Sequence, residues 1–183
     1  MLKRHRFAAP LAAVVLTSGL VLAGCQLLPG STVNPKPSAS TVTLPEADVE
    51  ACEHMSEGPA IAVTAVADNA TPPDVSEGHK RYDIGLVADN AQYAGKVLYN
   101  SSEETDYVLF FDQDVSLDVR NADNQSVEIE ASASSSVACG TIKARYVVPL
   151  GVGPFTLNLG PTAAATVSLV IEEAAHEEHE NDH

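Results

Sequence analysis

The chain has no tryptophan, and only 5% of its 183 residues are aromatic. A core must therefore be built from Val, Leu, Ile and Ala. Positive charge is equally scarce: ten Lys and Arg stand against 25 Asp and Glu, a formal net charge of −15. Such a chain repels phosphates and offers few rings on which bases could stack, which excludes nucleic acid as a partner. The usual catalytic signatures are missing too, with no Gly-x-Ser-x-Gly, no His-Glu-x-x-His and no phosphate-cradling loop. The Ser132–Ser136 run lies in an Ala/Ser-rich, loop-like stretch with no base beside it. These absences make a non-enzymatic role the expectation. Disorder is excluded by a hydrophobic content of 45%.

The one long apolar stretch is at the start. Lys3, Arg4 and Arg6 precede an almost wholly apolar run from Phe7 to Ala23, broken by Pro10 and Thr17-Ser18-Gly19. It is too short and too broken for a membrane span and is built like a secretory signal. It ends in Leu22-Ala23-Gly24-Cys25. This resembles the lipobox of bacterial lipoproteins, in which the cysteine is lipidated and becomes the new N-terminus. The resemblance implies residues 1–24 as signal peptide and Cys25 as the lipidated residue, with several acyl chains giving stable membrane anchoring. Residue 26 is Gln rather than Asp, which in that family favours the outer membrane where the host has two.

All 25 acidic residues follow Gly24, whereas three of the ten basic ones precede it, so the remainder carries a net charge of −18. A domain so charged stands off anionic lipid. Cys52 and Cys139 are the cysteines left after Cys25. In an oxidising compartment an even pair is read as a disulfide, here closing a loop of almost ninety residues. In the chain-entropy model that closure is worth roughly 4 kcal/mol. The alternative is a pair of free thiols available to a metal.

Residues 25–45 form a tether rich in Pro, Ser and Thr, with an extended reach on the order of 50 Å. From 46 to 173 the pattern is β, apart from a short helix expected near Glu46–Met55. Tyr82, Ile84 and Leu86, then Val115, Leu117 and Val119, alternate with polar residues, whereas Tyr107-Val108-Leu109-Phe110-Phe111 is continuous, as in a strand buried on both faces. Asn121-Ala122-Asp123-Asn124, Gly151-Val152-Gly153-Pro154 and Gly160-Pro161 supply turns. Eight or nine short strands at this spacing predict an all-β, jelly-roll-like antiparallel sandwich. The run from Ala144 through Leu150-Gly151-Val152-Gly153 to Leu157 resembles the closing hairpin of pre-peptidase C-terminal-like domains, and the Val115 and Val127 strands suit that sandwich. The resemblance implies a non-catalytic accessory module, although the family's Asp-x-Asp-Leu-Tyr strand is absent.

Three groups of residues are candidate sites. Residues 174–183 form an acidic tail in which His176, His179 and His183 lie among carboxylates, and Glu172 joins them if a helix runs through. Imidazole with carboxylate suits Zn²⁺, Cu²⁺ or Ni²⁺. Cys52-Glu53-His54-Met55 holds softer donors, with Cys52 assigned to the disulfide and Met55 to packing. His54 and His79 can form a joint site only if the fold brings them together. Asp112, Asp114 and Asp118 resemble a Ca²⁺ loop but lack its glycine and closing Glu. The reading is a membrane-anchored envelope lipoprotein that binds a divalent transition metal, Zn or Cu, and passes it to an envelope protein partner. The rival reading is an interaction module for protein or glycan with no metal role.

Overall fold

A computed structural model describes residues 44–174 other than Asn69. Cys25, the signal stretch and the tether up to residue 43 lie outside the described residues, as do His176, His179 and His183. The chain divides at Ser38/Ala39, and everything described belongs to the second unit.

The described residues form one helix, α1 (Leu44–Glu57), and eleven strands: β1 (Ile61–Thr64), β2 (Tyr82–Gly85), β3 (Val87–Asp89), β4 (Gln92–Ser101), β5 (Thr105–Phe111), β6 (Leu117–Arg120), β7 (Ser126–Val127), β8 (Ala131–Ala133), β9 (Ala144–Leu150), β10 (Gly153–Thr162) and β11 (Thr166–Glu173). They make a sandwich of two sheets, ordered β1-β2-β11-β5-β9-β8 and β3-β4-β10-β6-β7. The all-β sandwich expectation holds, with more strands than were counted. The extra ones are short. β8 is Ala/Ser-rich and exposed, so it carries no hydrophobic period, and the Tyr82–Leu86 run leaves one sheet at Gly85 and enters the other as β3.

Between the sheets lies a core in which Tyr107, Leu109 and Phe111 of β5 meet Val97, Leu157 and Leu159, together with Leu169 and Ile171 of β11. The alternate residues Val108 and Phe110 point the other way, to a second cluster with Val147, Val170, Ile142 and Ala174. That outer face is covered by α1, whose Ala47, Ala51 and Met55 recur every four residues along one side. The continuous apolar run of β5 is thus explained by burial on both faces, the inner against a sheet and the outer against a helix.

Two features fasten α1. Cys52 and Cys139 form the expected disulfide, with Cα atoms 6.0 Å apart, which rules out their serving as free thiol ligands. Asp48 and Arg145 form a buried ion pair, Nε to Oδ2 3.1 Å. Arg145 also lies over the Phe110 ring, and the Ser136 hydroxyl donates to Asp48.

Two expectations are corrected. β1 pairs with β2 in parallel, because the intervening chain crosses to the other sheet, bridging Val66 to Lys96 and Asp74 to Leu98, before returning. The Leu150–Gly153 turn does not close a hairpin. β9 and β10 lie in different sheets, and Gly153, at φ 133°, redirects the chain across the sandwich.

Candidate metal centre

The pairing of β2 with β11 stops at Leu169↔Tyr82, whereas β11 continues along β5 to Glu173. Beside that last stretch of β11 runs the loop that leads into β2, and above it lies α1. Three elements distant in sequence therefore meet at one notch.

Each contributes a donor for a local reason. Glu50 and His54 are four apart on α1 and share a face. Glu172 follows Val170 by two on β11, so its side chain points to the helix side of the sheet rather than into the sandwich. His79 sits in the loop with φ 54°, a left-handed conformation uncommon outside glycine though less so for His, Asn and Asp. The loop is fixed to the helix end by Arg81, whose Nη1 donates to the Met55 carbonyl at 2.8 Å. Glu77 N–H donating to the Tyr82 hydroxyl, also 2.8 Å, pins it further.

His79 Nδ1 lies 2.9 Å from Glu172 Oε2 and 3.1 Å from Glu50 Oε1. His54 Nε2 lies 3.8 Å from Glu172 Oε1 and 4.0 Å from Glu50 Oε1. One donor atom from each of the four residues falls within 4.8 Å of the others. The site is graded from buried floor to open rim: the side chain of Glu172 is 1% exposed, His54 29%, Glu50 44% and His79 64%. A small cavity of about 190 Å³, lined by Gly78, Tyr99 and Tyr107 as well as by three of the donors, adjoins it.

Glu172 is the anomalous member. Its Oε1 is buried with no hydrogen-bond partner. Burial, followed by the nearby carboxylates of Glu50 and Glu173, pushes its pKa up to about 8. Acidic neighbours and desolvation act together here, and a cation between the carboxylates would relieve both. The geometry fits a small one. A tetrahedron with arms of about 2.0–2.2 Å, as for Zn²⁺, has edges of about 3.3–3.6 Å. The four nitrogen–oxygen separations, 2.9 to 4.0 Å, bracket that range, and one donor atom per residue stays within 4.8 Å of the others, so shifts on the order of an ångström would complete it. Two nitrogens and two carboxylates suit a borderline transition metal. They fall short of the six to eight oxygens that Ca²⁺ takes.

The fold thus brings together His54, His79 and Glu172 of the residues singled out from sequence. Glu50 was missed, although its spacing of four from His54 on an expected helix was a usable signal. Met55 packs in the helix-side core. The aspartates that resemble a Ca²⁺ loop do not converge: Asp112 accepts from Ser168 N–H and Oγ–H, whereas Asp118 accepts from Arg120 and Asn158. A larger hollow of about 430 Å³ lies elsewhere, lined by Asp68, Lys96 and Asn158. It gathers no comparable donor set, its Lys96 and Asp68 already pairing with each other.

No protein-family model matches the chain, and no curated protein matches it.

Proposed function

We propose that this protein is a lipid-anchored, extracytoplasmic, non-enzymatic module that binds a divalent transition metal, zinc or copper, through Glu50, His54, His79 and Glu172. The observation that carries the reading is the buried Glu172 carboxyl, whose Oε1 has no hydrogen-bond partner and faces His54 while its Oε2 faces His79. A plain ion-pair cluster accounts for His79, which stands within hydrogen-bond reach of both carboxylates, but not for His54. His54 Nε2 stands 3.8 and 4.0 Å from the two carboxylates, beyond hydrogen-bond range but suited to ligands sharing one ion.

The primary site in this reading is the cluster, with the His-bearing tail in a supporting role. His176 follows Glu172 by four residues, a reach of about 14 Å at full extension. Tail imidazoles can therefore collect the ion close to the buried site. Membrane attachment through Cys25, on the outer membrane where there are two, and transfer of the metal to an envelope protein partner complete the proposal. The basis for the anchor is the Leu22-Ala23-Gly24-Cys25 sequence.

The test is calorimetry with Zn²⁺ on the full chain carrying Cys25→Ser. One ion should bind per chain, and His79→Ala or Glu172→Gln should each abolish tight binding. Binding unchanged in both variants, or absent at millimolar Zn²⁺, would refute the assignment.

A further inference from the structure

Cys52 lies midway between Glu50 and His54 on α1, two residues from each. The disulfide it makes with Cys139 joins the helix, at the level of the metal ligands, to the segment between β8 and β9. Around that level the other contacts of α1 are non-covalent. Its apolar contact face there is the single methyl of Ala51, with Ala47 and Met55 one turn away on either side. The Asp48–Arg145 pair holds the first turns, and Arg81 holds the carbonyl of Met55 near the last. Two of the four donors ride on a helical turn that the disulfide, alone among these contacts, ties covalently to the body of the domain. The other two, on β11 and on the loop before β2, belong to the body of the domain. Helix-borne and body-borne donors must meet with a tolerance of about half an ångström around an ion with arms near 2.0–2.2 Å.

We infer that Cys52–Cys139 is the positioning element of the metal centre, so that retention of the metal depends on whether this disulfide is closed. The inference rests on the metal-binding reading above and adds a regulator to it. A reductant of the dithiol class would open the bond with two electrons and two protons. Each sulfur ends as a thiol, and the reductant ends as a disulfide. The helix turn carrying Glu50 and His54 is then released from the body while the sandwich core between the sheets, which contains neither cysteine, stays in place.

The experiment uses the full chain with Cys25→Ser. Zinc affinity is measured for the oxidised protein and for Cys52→Ala/Cys139→Ala, and Co²⁺ serves as a spectroscopic probe, because four-coordinate Co²⁺ absorbs far more strongly in the visible than six-coordinate Co²⁺. Val119→Ala, a truncation in the inter-sheet core, is the control for lowered stability alone. The double variant should keep its strand circular dichroism, bind zinc about 10–100-fold more weakly and lose the intense Co²⁺ bands. Val119→Ala should keep both the affinity and the bands.

A second arm covers failure of the double variant to fold. Zinc-loaded oxidised protein is treated with a trialkylphosphine, which reduces the disulfide to two thiols and takes up oxygen from water as the phosphine oxide. Zinc should appear on a chelating dye in step with the thiols, with the strand signal unchanged. Wild-type affinity and spectrum in the double variant, or zinc retained after complete reduction, overturns the inference. So does zinc loss that accompanies loss of the strand signal, since the metal then leaves with the fold. If the oxidised protein itself binds no zinc, the metal reading is what fails, and the two failures are told apart by that first titration.

Discussion

Replacing Glu172 by Gln should raise the stability of the metal-free protein, although it removes a metal ligand. The carboxyl is buried and its pKa is pushed up from 4.5 to about 8. Between those two pH values the unfolded chain has released the proton and the folded chain holds it. The folded state binds more protons, so stability falls as pH rises. At 1.36 kcal/mol per unit, linkage gives a loss of about 3 kcal/mol by pH 7, taken as an upper value, and rather more by pH 9. Glutamine reproduces the neutral acid in shape and does not titrate. Metal-free Glu172→Gln should therefore melt higher than wild type at pH 7, by up to about 10 °C for a domain of this size, and the gap should widen toward pH 9. Zinc at a thousandfold excess over Kd should reverse the order at pH 7, since the ion replaces the proton on Glu172 and stabilises wild type by about 4.1 kcal/mol, more than the gap that separates the metal-free proteins. The assay is thermal melting by circular dichroism from pH 5 to 9, with chelator and with zinc. If wild type and variant keep the same pH slope in chelator, Glu172 is not the strained group described here.

His79→Gly and His79→Ala should both lose zinc, but the glycine variant should be the more stable by about 1 kcal/mol without metal, because φ 54° suits glycine and strains alanine; chemical denaturation measures the difference. Asp48→Ala should cost about 3–5 kcal/mol by stranding Arg145 in the helix-side core, read in the same denaturation series. His176→Ala/His179→Ala should leave the equilibrium affinity for zinc close to wild type while slowing its uptake, as stopped-flow with a zinc-sensitive dye would register. Cys25→Ser should abolish acyl labelling and move the protein from the membrane fraction to the soluble one.

The sandwich was legible because period-two alternation and regular turns survive in its longer strands. Those that escaped were strands such as β8, whose Ala-Ser-Ala has no apolar contrast between faces. The disulfide was legible from compartment and parity. The connection from β9 to β10 was not, since a glycine turn reads the same whether the next strand pairs with its predecessor or crosses to the opposite sheet. For the site, the helix spacing of Glu50 and His54 was available in sequence. So, less directly, was Glu172: it continues the Val170 face of a strand whose other face holds Val167, Leu169 and Ile171, so it had to be buried if that strand was covered on both sides. What no local pattern carries is His79. Its place beside Glu172 follows from where β2 stops pairing with β11, a long-range register set by the whole sheet.

That origin bears on what binding would do to the protein. The donors come from α1, from the loop before β2 and from β11, segments separated by at least 25 residues in sequence. A metal held by all of them is a cross-link among three elements, whereas a metal held by the tail alone would join residues a few positions apart and constrain little. Stabilisation of the whole domain by zinc therefore separates the two sites without any mutation, because an ion confined to the tail has no leverage on the cooperative melting of the sandwich. The same logic accounts for a carboxylate kept at a position where an apolar residue would pack more favourably. A buried carboxyl that must take up a proton on folding, and whose Oε1 has no hydrogen-bond partner, destabilises the metal-free fold, and a cation shared with two imidazoles would convert that cost into affinity.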